Sequence, residues 1–360
     1  MSLSFWVLVD LAFYIFVLIA LKNKILSKYQ QLLLIAACVI LTFFIGIRHD
    51  WPDEGVYIEA FNLAPLIYNF NWDTIIPFGY VEKGYLFLAS IVKTLWDDST
   101  IYLLTMGGIS MFLLYKSLVR YCIFPMLGLC DYISRFLLNR DFTQMRSSLA
   151  MLLIILSIRF IKENKLGMYL LVIFIAYQFH HMALIGLPLY FLYKLRLNRI
   201  SIILGLALAF VLSQTIASSI EGTVDLYSED LQYTTYTEGN YVEQALGLRN
   251  PMIYFQIVIL LMFSHFEPQL RKKLVYFDLY RWAYFYSTLI LIFFCNYTAL
   301  SGRTSTMFAT VEMFILPYIM NELKGYKRYC FIAFMGIVFV YFFWNKLNNA
   351  YIMSDGAIFE

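Results

Sequence analysis

The stretch that decides the fold reads Gly46-Ile-Arg-His-Asp-Trp-Pro-Asp-Glu-Gly-Val-Tyr-Ile-Glu-Ala-Phe61, where an apolar segment ends and a group of charged and aromatic residues begins. Pro52 suits the first turn of a new helix, and the acids beside it suit the positive end of that helix's dipole. Asp53, Tyr57 and Phe61 fall at intervals of four residues, which predicts that they share one helix face. Such concentrated polarity in an otherwise apolar chain indicates a functional region.

The composition is that of a polytopic membrane protein. Hydrophobic residues make up 61% of the 360 residues and charged residues only 14%, and no long polar module separates the apolar segments. We therefore predict an all-α protein with a single transmembrane domain over residues 1–360. The formal net charge of +3 is too small to indicate nucleic acid as a partner. The five cysteines stand singly, which indicates neither a metal site nor a disulfide framework.

Basic residues orient the predicted spans. Three lysines follow the first apolar segment, so this link is cytoplasmic by the positive-inside rule, and the stretch from Arg48 onward faces the other side. Residues 48–100 then form an external segment, in which the apolar run 84–95 is too short to span and is predicted to be a re-entrant or interfacial helix. A second external segment, the loop 218–249, is rich in acids and tyrosines and is predicted to cover or contact a substrate.

The segment 167–193 could be one long span or a hairpin of two short spans with His180 and His181 at its tip. Basic residues at both of its ends favour the hairpin, because both ends then lie in the cytoplasm. With the hairpin counted as two, we predict about twelve transmembrane helices. They cover approximately residues 3–21, 31–47, 100–118, 121–138, 143–160, 167–193, 200–216, 250–264, 279–299, 304–320 and 329–346.

Arginines assigned to the outer face are candidates for an anion site, because arginine is always charged and its planar fork of donors suits phosphate and diphosphate. Several of them are predicted to stand at the start of a span, where free N–H groups and the helix dipole also favour an anion. The alternative is that these side chains extend to lipid headgroups. The outer set comprises Arg48, Arg135, Arg140, Arg146, Arg249 and Arg303, of which Arg48, Arg146, Arg303 and Arg249 are predicted to bind a phosphate or diphosphate.

Asp53, Glu82 and His180 are candidate catalytic groups, because a carboxylate or an imidazole can activate a hydroxyl or bind a sugar. The alternatives are a solvated helix start for Asp53 and a polar hairpin tip for His180. Tyr57 and Tyr85, with His181, are candidate sugar contacts, although tyrosines also line membrane interfaces. Paired aspartates alone are a weak metal signal, so no metal or cofactor is predicted.

Six short motifs follow one another along this hydropathy profile. They are Gly46-Ile-Arg48, then Asp53-Glu-Gly-Val-Tyr57-Ile-Glu-Ala-Phe61, Glu82-Lys-Gly84-Tyr85, Arg146-Ser-Ser-Leu-Ala150, Phe179-His180-His181-Met-Ala-Leu184, and Arg303 in a late span. Their succession resembles the EpsG-like branch of the Wzy polysaccharide polymerases. The sequence departs from that pattern where His49-Asp-Trp-Pro52 replaces glycines, and where Met182 stands in place of a serine.

The resemblance implies a GT-C-like glycosyltransferase of the bacterial inner membrane, active on its periplasmic face. Such an enzyme transfers a growing glycan from undecaprenyl diphosphate onto a sugar hydroxyl of the next lipid-linked repeat unit, for O-antigen, capsule or exopolysaccharide. Arg48, Arg146 and Arg303 would neutralise the diphosphate, in place of a metal ion. The implied partners are undecaprenyl-diphosphate-linked oligosaccharides and the lipid bilayer, and a chain-length regulator is a further candidate.

Four other functions remain open at the level of sequence. The acceptor would distinguish a polymerase from a glycan ligase and from a transferase that adds a single sugar from a lipid-phosphate donor, and the sequence does not name the acceptor. A lipid-linked oligosaccharide flippase or another transporter would be expected to show repeat symmetry and a central charged path. A membrane acyltransferase would use a cytoplasmic acyl donor, whereas His180 is assigned to the outer side.

Overall fold

The computed structural model describes residues 3–73, 82–215, 246–354 and 358, without the side chains of residues 24, 298 and 299. In this part of the chain every regular element is a helix. Most of the predicted external loop 218–249 lies outside the described residues. The chain divides into two compact units, the first formed by Met1–Gly186 with Leu316–Glu360 and the second by Leu187–Ile315.

The helices of the first unit follow most of the predicted apolar segments, and a break at residues 178–180 divides the predicted hairpin as expected. The unit contains α1 (Leu3–Lys22), α2 (Lys24–Lys28), α3 (Gln30–Gly46), α4 (Glu54–Leu63), α5 (Lys83–Leu95), α6 (Ser99–Tyr121), α7 (Pro125–Tyr132), a π-helix (Ile133–Thr143), α8 (Met145–Lys162), α9 (Leu166–Tyr177) and a 3₁₀ turn (His181–Gly186).

The second unit contains α10 (Leu187–Leu192), α11 (Arg199–Thr215), α12 (Pro251–His265), α13 (Glu267–Lys273), α14 (Phe277–Phe293) and α15 (Thr298–Ala309). Helix α16 (Glu312–Glu322) starts in the second unit and continues into the first, and α17 (Tyr326–Met353) belongs to the first unit.

Three helices, α1, α6 and α17, are long and apolar enough to cross a membrane. The pair α12 and α13 would count as a fourth span if taken together, although the two bend by 73° at their junction. Helices α3, α9 and α11 are apolar but shorter. The described part of the chain is therefore an all-helical membrane protein, and the number of twelve spans stays a prediction.

The segment predicted as one span over 121–138 is instead broken, because α7 passes into a π-helix. The N–H of Gln144 donates to the carbonyl of Asn139, five residues back, at 3.2 Å, which is the bonding pattern of a π-helix. Asn139, Arg140 and Asp141, which separate the predicted spans 121–138 and 143–160, lie inside this element, and Arg140 and Asp141 are buried. Asp141 accepts hydrogen bonds from the hydroxyls of Tyr132 (2.6 Å) and Ser148 (2.7 Å), which satisfies a carboxylate that would be costly to bury alone.

The predicted span 304–320 is also divided, at Thr310 and Val311. Helix α15 starts at Thr298, so the expectation that Arg303 opens this helix was wrong, and Arg303 lies within its second turn. The break places Glu312 at the start of α16, where a carboxylate suits the helix dipole. The hydroxyl of Tyr284 donates to Glu312 at 2.5 Å, which explains how an acid is tolerated in this apolar segment.

Candidate functional site

Arg48 follows the last turn of α3, which packs closely against α6. A Cβ atom added at Gly46 would lie 2.3 Å from the side chain of Leu104, so only glycine allows this approach. The Arg48 guanidinium is 6% exposed, and it donates to the carbonyl of Ile45 and to Sδ of Met145 at 3.1 Å. Among the described residues, neither a carboxylate within salt-bridge distance nor an acceptor for Nε is present.

The polar stretch after Arg48 turns sharply into α4. Pro52 precedes this helix instead of standing in its first turn, and Asp53 is the N-cap residue, with a positive φ of 66° and an exposed side chain. Glu54 accepts the N–H of Trp51 at 3.0 Å, which fixes the turn. Tyr57 and Phe61, at the next two positions of the four-residue spacing, are buried. The predicted helix face therefore packs into the protein, except for Asp53 at its start.

The start of α5 docks on the break in the predicted hairpin. The backbone N–H groups of Gly84 and Tyr85 donate to the carbonyl of Gln178 at 2.8 and 3.3 Å. A Cβ atom at Gly84 would lie 2.6 Å from Cβ of Gln178 and 2.8 Å from its carbonyl oxygen, so the contact requires glycine. This contact is what places Glu82 beside His180 and His181.

Glu82 is the centre of the resulting cluster and is 3% exposed. Its Oε2 forms a salt bridge with Arg146, which lies in the first turn of α8, and its Oε1 lies 3.5 Å from Nδ1 of His181. Burial alone would raise the pKa of Glu82, but the contacts with His181 and Arg146 outweigh it and lower this pKa to about 2. Glu82 is therefore a permanent carboxylate and a very weak base.

His180 is held neutral and in one tautomer. Burial lowers its pKa to about 3, although the nearby charge of Glu82 opposes that shift. The backbone N–H of Met182 donates to Nδ1 of His180 at 3.2 Å. Since Nδ1 accepts this bond, the ring proton resides on Nε2, and His180 can donate a hydrogen bond to a ligand.

Two tyrosines connect the arginines of this site. Tyr57 is hydrogen-bonded to Arg146, and burial raises its pKa while the charges of Arg146 and Arg48 oppose the rise, so both guanidinium groups lie near its hydroxyl. The Arg146 guanidinium lies over the ring of Tyr85, 5.6 Å from its centroid, and the two tyrosine rings are 6.0 Å apart. The predicted residues Arg48, Tyr57, Glu82, Tyr85, Arg146, His180 and His181 thus form one connected cluster, with Asp53 at the exposed start of α4.

The other predicted arginines are not part of this cluster as described. Arg249 lies just before Asn250, which caps α12, and Arg303 lies in α15, both in the second unit. Their role as diphosphate ligands stays a prediction. In the π-helix, Arg135 packs over the ring of Phe342 at 4.7 Å, and Arg140 bonds to the side chain of Ser147.

Glu82, His180 and His181 are the one group in the described residues whose ligand atoms, all within 4.8 Å of one another, could bind a metal ion. Two contacts disfavour this use. The guanidinium of Arg146 already neutralises Glu82 and would repel a cation, and Nδ1 of His180 is engaged by Met182. The donor set therefore suits an anionic or hydroxyl-bearing ligand better than a metal ion.

Sequence reasoning missed the residues that hold the site together. Gln178 and Met182 act through backbone atoms, whose contacts leave no mark in the sequence. Met145 contacts Arg48 through its sulfur, but from the sequence alone it looks like an ordinary core residue. The close contact of Gly84 with Gln178 became visible only in the structure.

Fold and cluster together define a helical membrane protein with a buried, arginine-containing polar site. The chain belongs to the EpsG family, whose model matches residues 31–357. This is the family of Wzy-type polysaccharide polymerases, so the predicted resemblance is confirmed. Comparison with curated proteins and with solved structures gives no significant match.

Proposed function

We propose that this chain is a GT-C-type polymerase that transfers a glycan from undecaprenyl diphosphate onto a sugar hydroxyl of another lipid-linked repeat unit. Family membership supports a polysaccharide polymerase in general. The observation that carries the finer proposal is the buried guanidinium of Arg48, which has no carboxylate within salt-bridge distance among the described residues and lies near the Arg146–Glu82 pair.

A buried charge without a counter-charge is energetically costly, and a ligand of opposite sign relieves that cost. Burial lowers the pKa of Arg48, with Glu54 the largest opposing influence, which is the direction expected for a guanidinium whose charge is incompletely compensated. A diphosphate supplies this compensation and accepts the paired hydrogen bonds that a guanidinium donates.

The two arginines, Arg48 and Arg146, have different roles in this proposal. Arg48 binds the diphosphate directly and neutralises the charge that develops as the bond between the sugar's anomeric carbon and the diphosphate oxygen breaks. Arg146 is held by Glu82 and presents its remaining donors toward Tyr57. The Glu82 side chain is 3% exposed and that of Arg146 28% exposed, so this partly buried pair also connects the start of α5 to the start of α8.

The acceptor hydroxyl attacks the anomeric carbon, its proton passes to a base, and the diphosphate leaves with the electron pair of the broken bond. Glu82, with a pKa of about 2, is too weak a base for this task. His180 has its Nδ1 engaged and serves as a donor to a sugar or phosphate oxygen. Asp53, exposed one turn before Tyr57, is the carboxylate that we assign to accept the proton.

The proposal places this reaction on the periplasmic face of the bacterial inner membrane. Support comes from the lysine-rich links between the apolar helices, which orient the Arg48 stretch away from the cytoplasm. It also comes from the chemistry of the donor, since a lipid diphosphate remains at the membrane while its glycan lies in the aqueous phase beside it.

The test incubates the purified full-length chain with one defined undecaprenyl-diphosphate repeat unit, in EDTA and without nucleotide sugar, and separates the products on a gel. A ladder of glycan lengths is expected. The proposal is wrong if no ladder forms while the same lipid crosses a reconstituted bilayer, because that result identifies a flippase. A ladder that requires added Mn²⁺ or Zn²⁺ would instead assign the Glu82 cluster to a metal.

The base is tested with Asp53→Asn, which keeps the size of the side chain and tolerates its positive φ. The ladder should weaken at least about 100-fold in rate. Glu59→Gln, an exposed carboxylate on the same helix, is the matched control and should leave the rate unchanged. Equal rates for both variants would remove Asp53 from the mechanism.

A further inference from the structure

An apolar cavity of about 630 Å³ lies between four helices of the first unit, next to the polar stretch that follows α3. This volume falls within the range of about 300–1,000 Å³ that is usual for ligand sites. Its walls are mostly hydrocarbon and aromatic rings.

The π-helix supplies one wall of the cavity. Residues four and five apart share a face when hydrogen bonds join residue i to residue i+5. Ile133, Leu137, Leu138 and Phe142 have this spacing and all line the cavity. A straight α-helix would spread the same four side chains more widely, so the unusual element has a clear local consequence, which is a continuous apolar wall.

Charge is confined mainly to one end of the cavity. Arg48, His49 and Asp50 lie together there, and Arg48 is more than nine-tenths buried, with an Nε that has no acceptor among the described residues. The remaining titratable group, Asp10, accepts hydrogen bonds from the hydroxyl of Ser134 at 3.1 Å. The cavity therefore has a charged end, with the buried guanidinium of Arg48 and the exposed side chain of Asp50, and a long apolar remainder, which matches a lipid whose anionic head contacts Arg48.

The cavity is elongated and accessible from the side. On α3 its lining runs from Ala37 to Ile47, a rise of about 15 Å at 1.5 Å per residue. Val9, Ile40 and Phe44 line it and are also exposed, so they face the hydrocarbon of a surrounding bilayer. A lipid chain can thus enter laterally while its head remains at Arg48.

We infer that this cavity binds the isoprenoid chain of a polyprenyl diphosphate, with its diphosphate on Arg48. The inference rests on the proposed function for the identity of the chain, since that reaction uses a diphosphate carried by a polyprenyl lipid. The multiple negative charges of a diphosphate suit the unneutralised guanidinium better than the single charge of a phospholipid phosphate does. The cavity holds the part of the chain nearest the diphosphate and orients the leaving group.

The test uses a farnesyl diphosphate that carries a terminal photoreactive benzophenone, added to the purified full-length chain in detergent. After irradiation, labelled peptides are identified by mass spectrometry. Label is expected in the segments of α1, α3, the π-helix or α17 that line the cavity. Unlabelled undecaprenyl diphosphate should abolish the labelling, and phosphatidylglycerol at the same concentration should not.

Two neighbouring alanines of α3 provide a matched pair of variants. Ala37 lines the cavity, whereas Ala36 is exposed outside it. Ala37→Trp should fill the cavity and reduce labelling at least tenfold, while Ala36→Trp should label as the wild type does. If Ala37→Trp does not fold, the smaller Ala37→Leu should still reduce labelling by about half.

Three results would each overturn the inference. They are labelling outside the cavity segments, equal labelling of the Ala37→Trp and Ala36→Trp variants, and equal competition by phosphatidylglycerol. The last result would identify an ordinary phospholipid chain as the occupant. Labelling requires no glycan transfer. A protein that labels as expected but forms no ladder with the lipid-linked repeat unit would therefore refute the proposed function alone. A ladder without cavity labelling would refute only this inference.

Discussion

Two buried arginines, one in each unit, have opposite surroundings. Arg281 in α14 is fully buried and donates to Glu267 at 2.7 Å, to Asp278 at 3.1 Å and to the carbonyl of Leu197 at 2.6 Å. Arg48 is buried almost as completely, but in the described part of the chain it donates to a carbonyl and a thioether. Both leave Nε without an acceptor among the described residues, so the main difference is that two carboxylates accept bonds from Arg281 and none of the described carboxylates lies within salt-bridge distance of Arg48.

That difference separates a structural arginine from the arginine that the proposed function assigns to the diphosphate. The charge of Arg281 is neutralised within its own unit, and Arg271 reinforces the network through the same two carboxylates. Arg48 retains its charge, which the folded chain tolerates only at an energetic cost. A residue kept under such conditions is expected to be needed for function and dispensable for stability, and the reverse is expected of Arg281.

The largest effect is predicted for Arg48→Met. Methionine keeps most of the volume and removes the uncompensated charge, so the rate of glycan elongation should fall at least about 100-fold. The apparent melting temperature in detergent should stay the same or rise, because no ion pair is broken. Gel-based elongation rates and thermal scans check the two halves of the prediction. A parallel loss of melting temperature would show that Arg48 is structural.

The converse variant is Arg281→Met, which should lower the free energy of unfolding by about 3 kcal/mol, because it leaves Glu267 and Asp278 with fewer partners. Elongation per folded molecule should stay close to that of the wild type. Thermal scans together with the folded fraction from size-exclusion chromatography measure this. A variant of unchanged stability would erase the contrast between the two arginines.

A smaller effect is predicted for Gly84→Ala. The new methyl group would meet Gln178 at 2.6 Å, so α5 must shift and carry Glu82 away from its partners, and elongation should fall about tenfold. Gly55→Ala is the matched control, since nothing lies within 4 Å of its Cβ and alanine favours the helix. The explanation of the Glu82-Lys-Gly84 motif fails if both variants elongate glycan at the wild-type rate.

The smallest effect concerns pH. His180 has a pKa lowered to about 3 in the folded protein, so between pH 6.5 and 3 the unfolded chain binds a proton that the folded chain does not. Stability should therefore fall as pH drops through this window. His180→Gln should flatten the slope of melting temperature against pH there. An unchanged slope would mean that His180 is protonated normally in the folded protein.

The sequence predicted the apolar helices, the ends of α3 and the position of the hairpin, because apolar runs of this length are strong local signals. It also predicted the residues of the cluster, because charged residues stand out in an apolar chain. It could not predict the break of the 121–138 span, since the choice of a π-helix depends on buried bonds of Asp141 with Tyr132 and Ser148. The start of α15 before Arg303 was missed for a similar reason, because a helix boundary inside an apolar run has little local signature.

The site was predicted as a set of residues but not as an arrangement. Glu82 and His180 were both proposed as bases, because sequence shows residue types and not their partners. The Arg146 salt bridge and the Met182 N–H change those roles, one by lowering basicity and the other by fixing a tautomer. Contacts between distant segments, such as Gly84 with Gln178, decide chemistry at this level and are not encoded in short motifs.

The most direct test of the role of Arg48 is the binding of undecaprenyl diphosphate to wild type, Arg48→Met and Arg281→Met, measured by native mass spectrometry on folded protein. We predict equal affinity for the wild type and Arg281→Met, and an affinity at least about 100-fold weaker for Arg48→Met. Equal binding by all three proteins would contradict the assignment of the unneutralised arginine to the diphosphate.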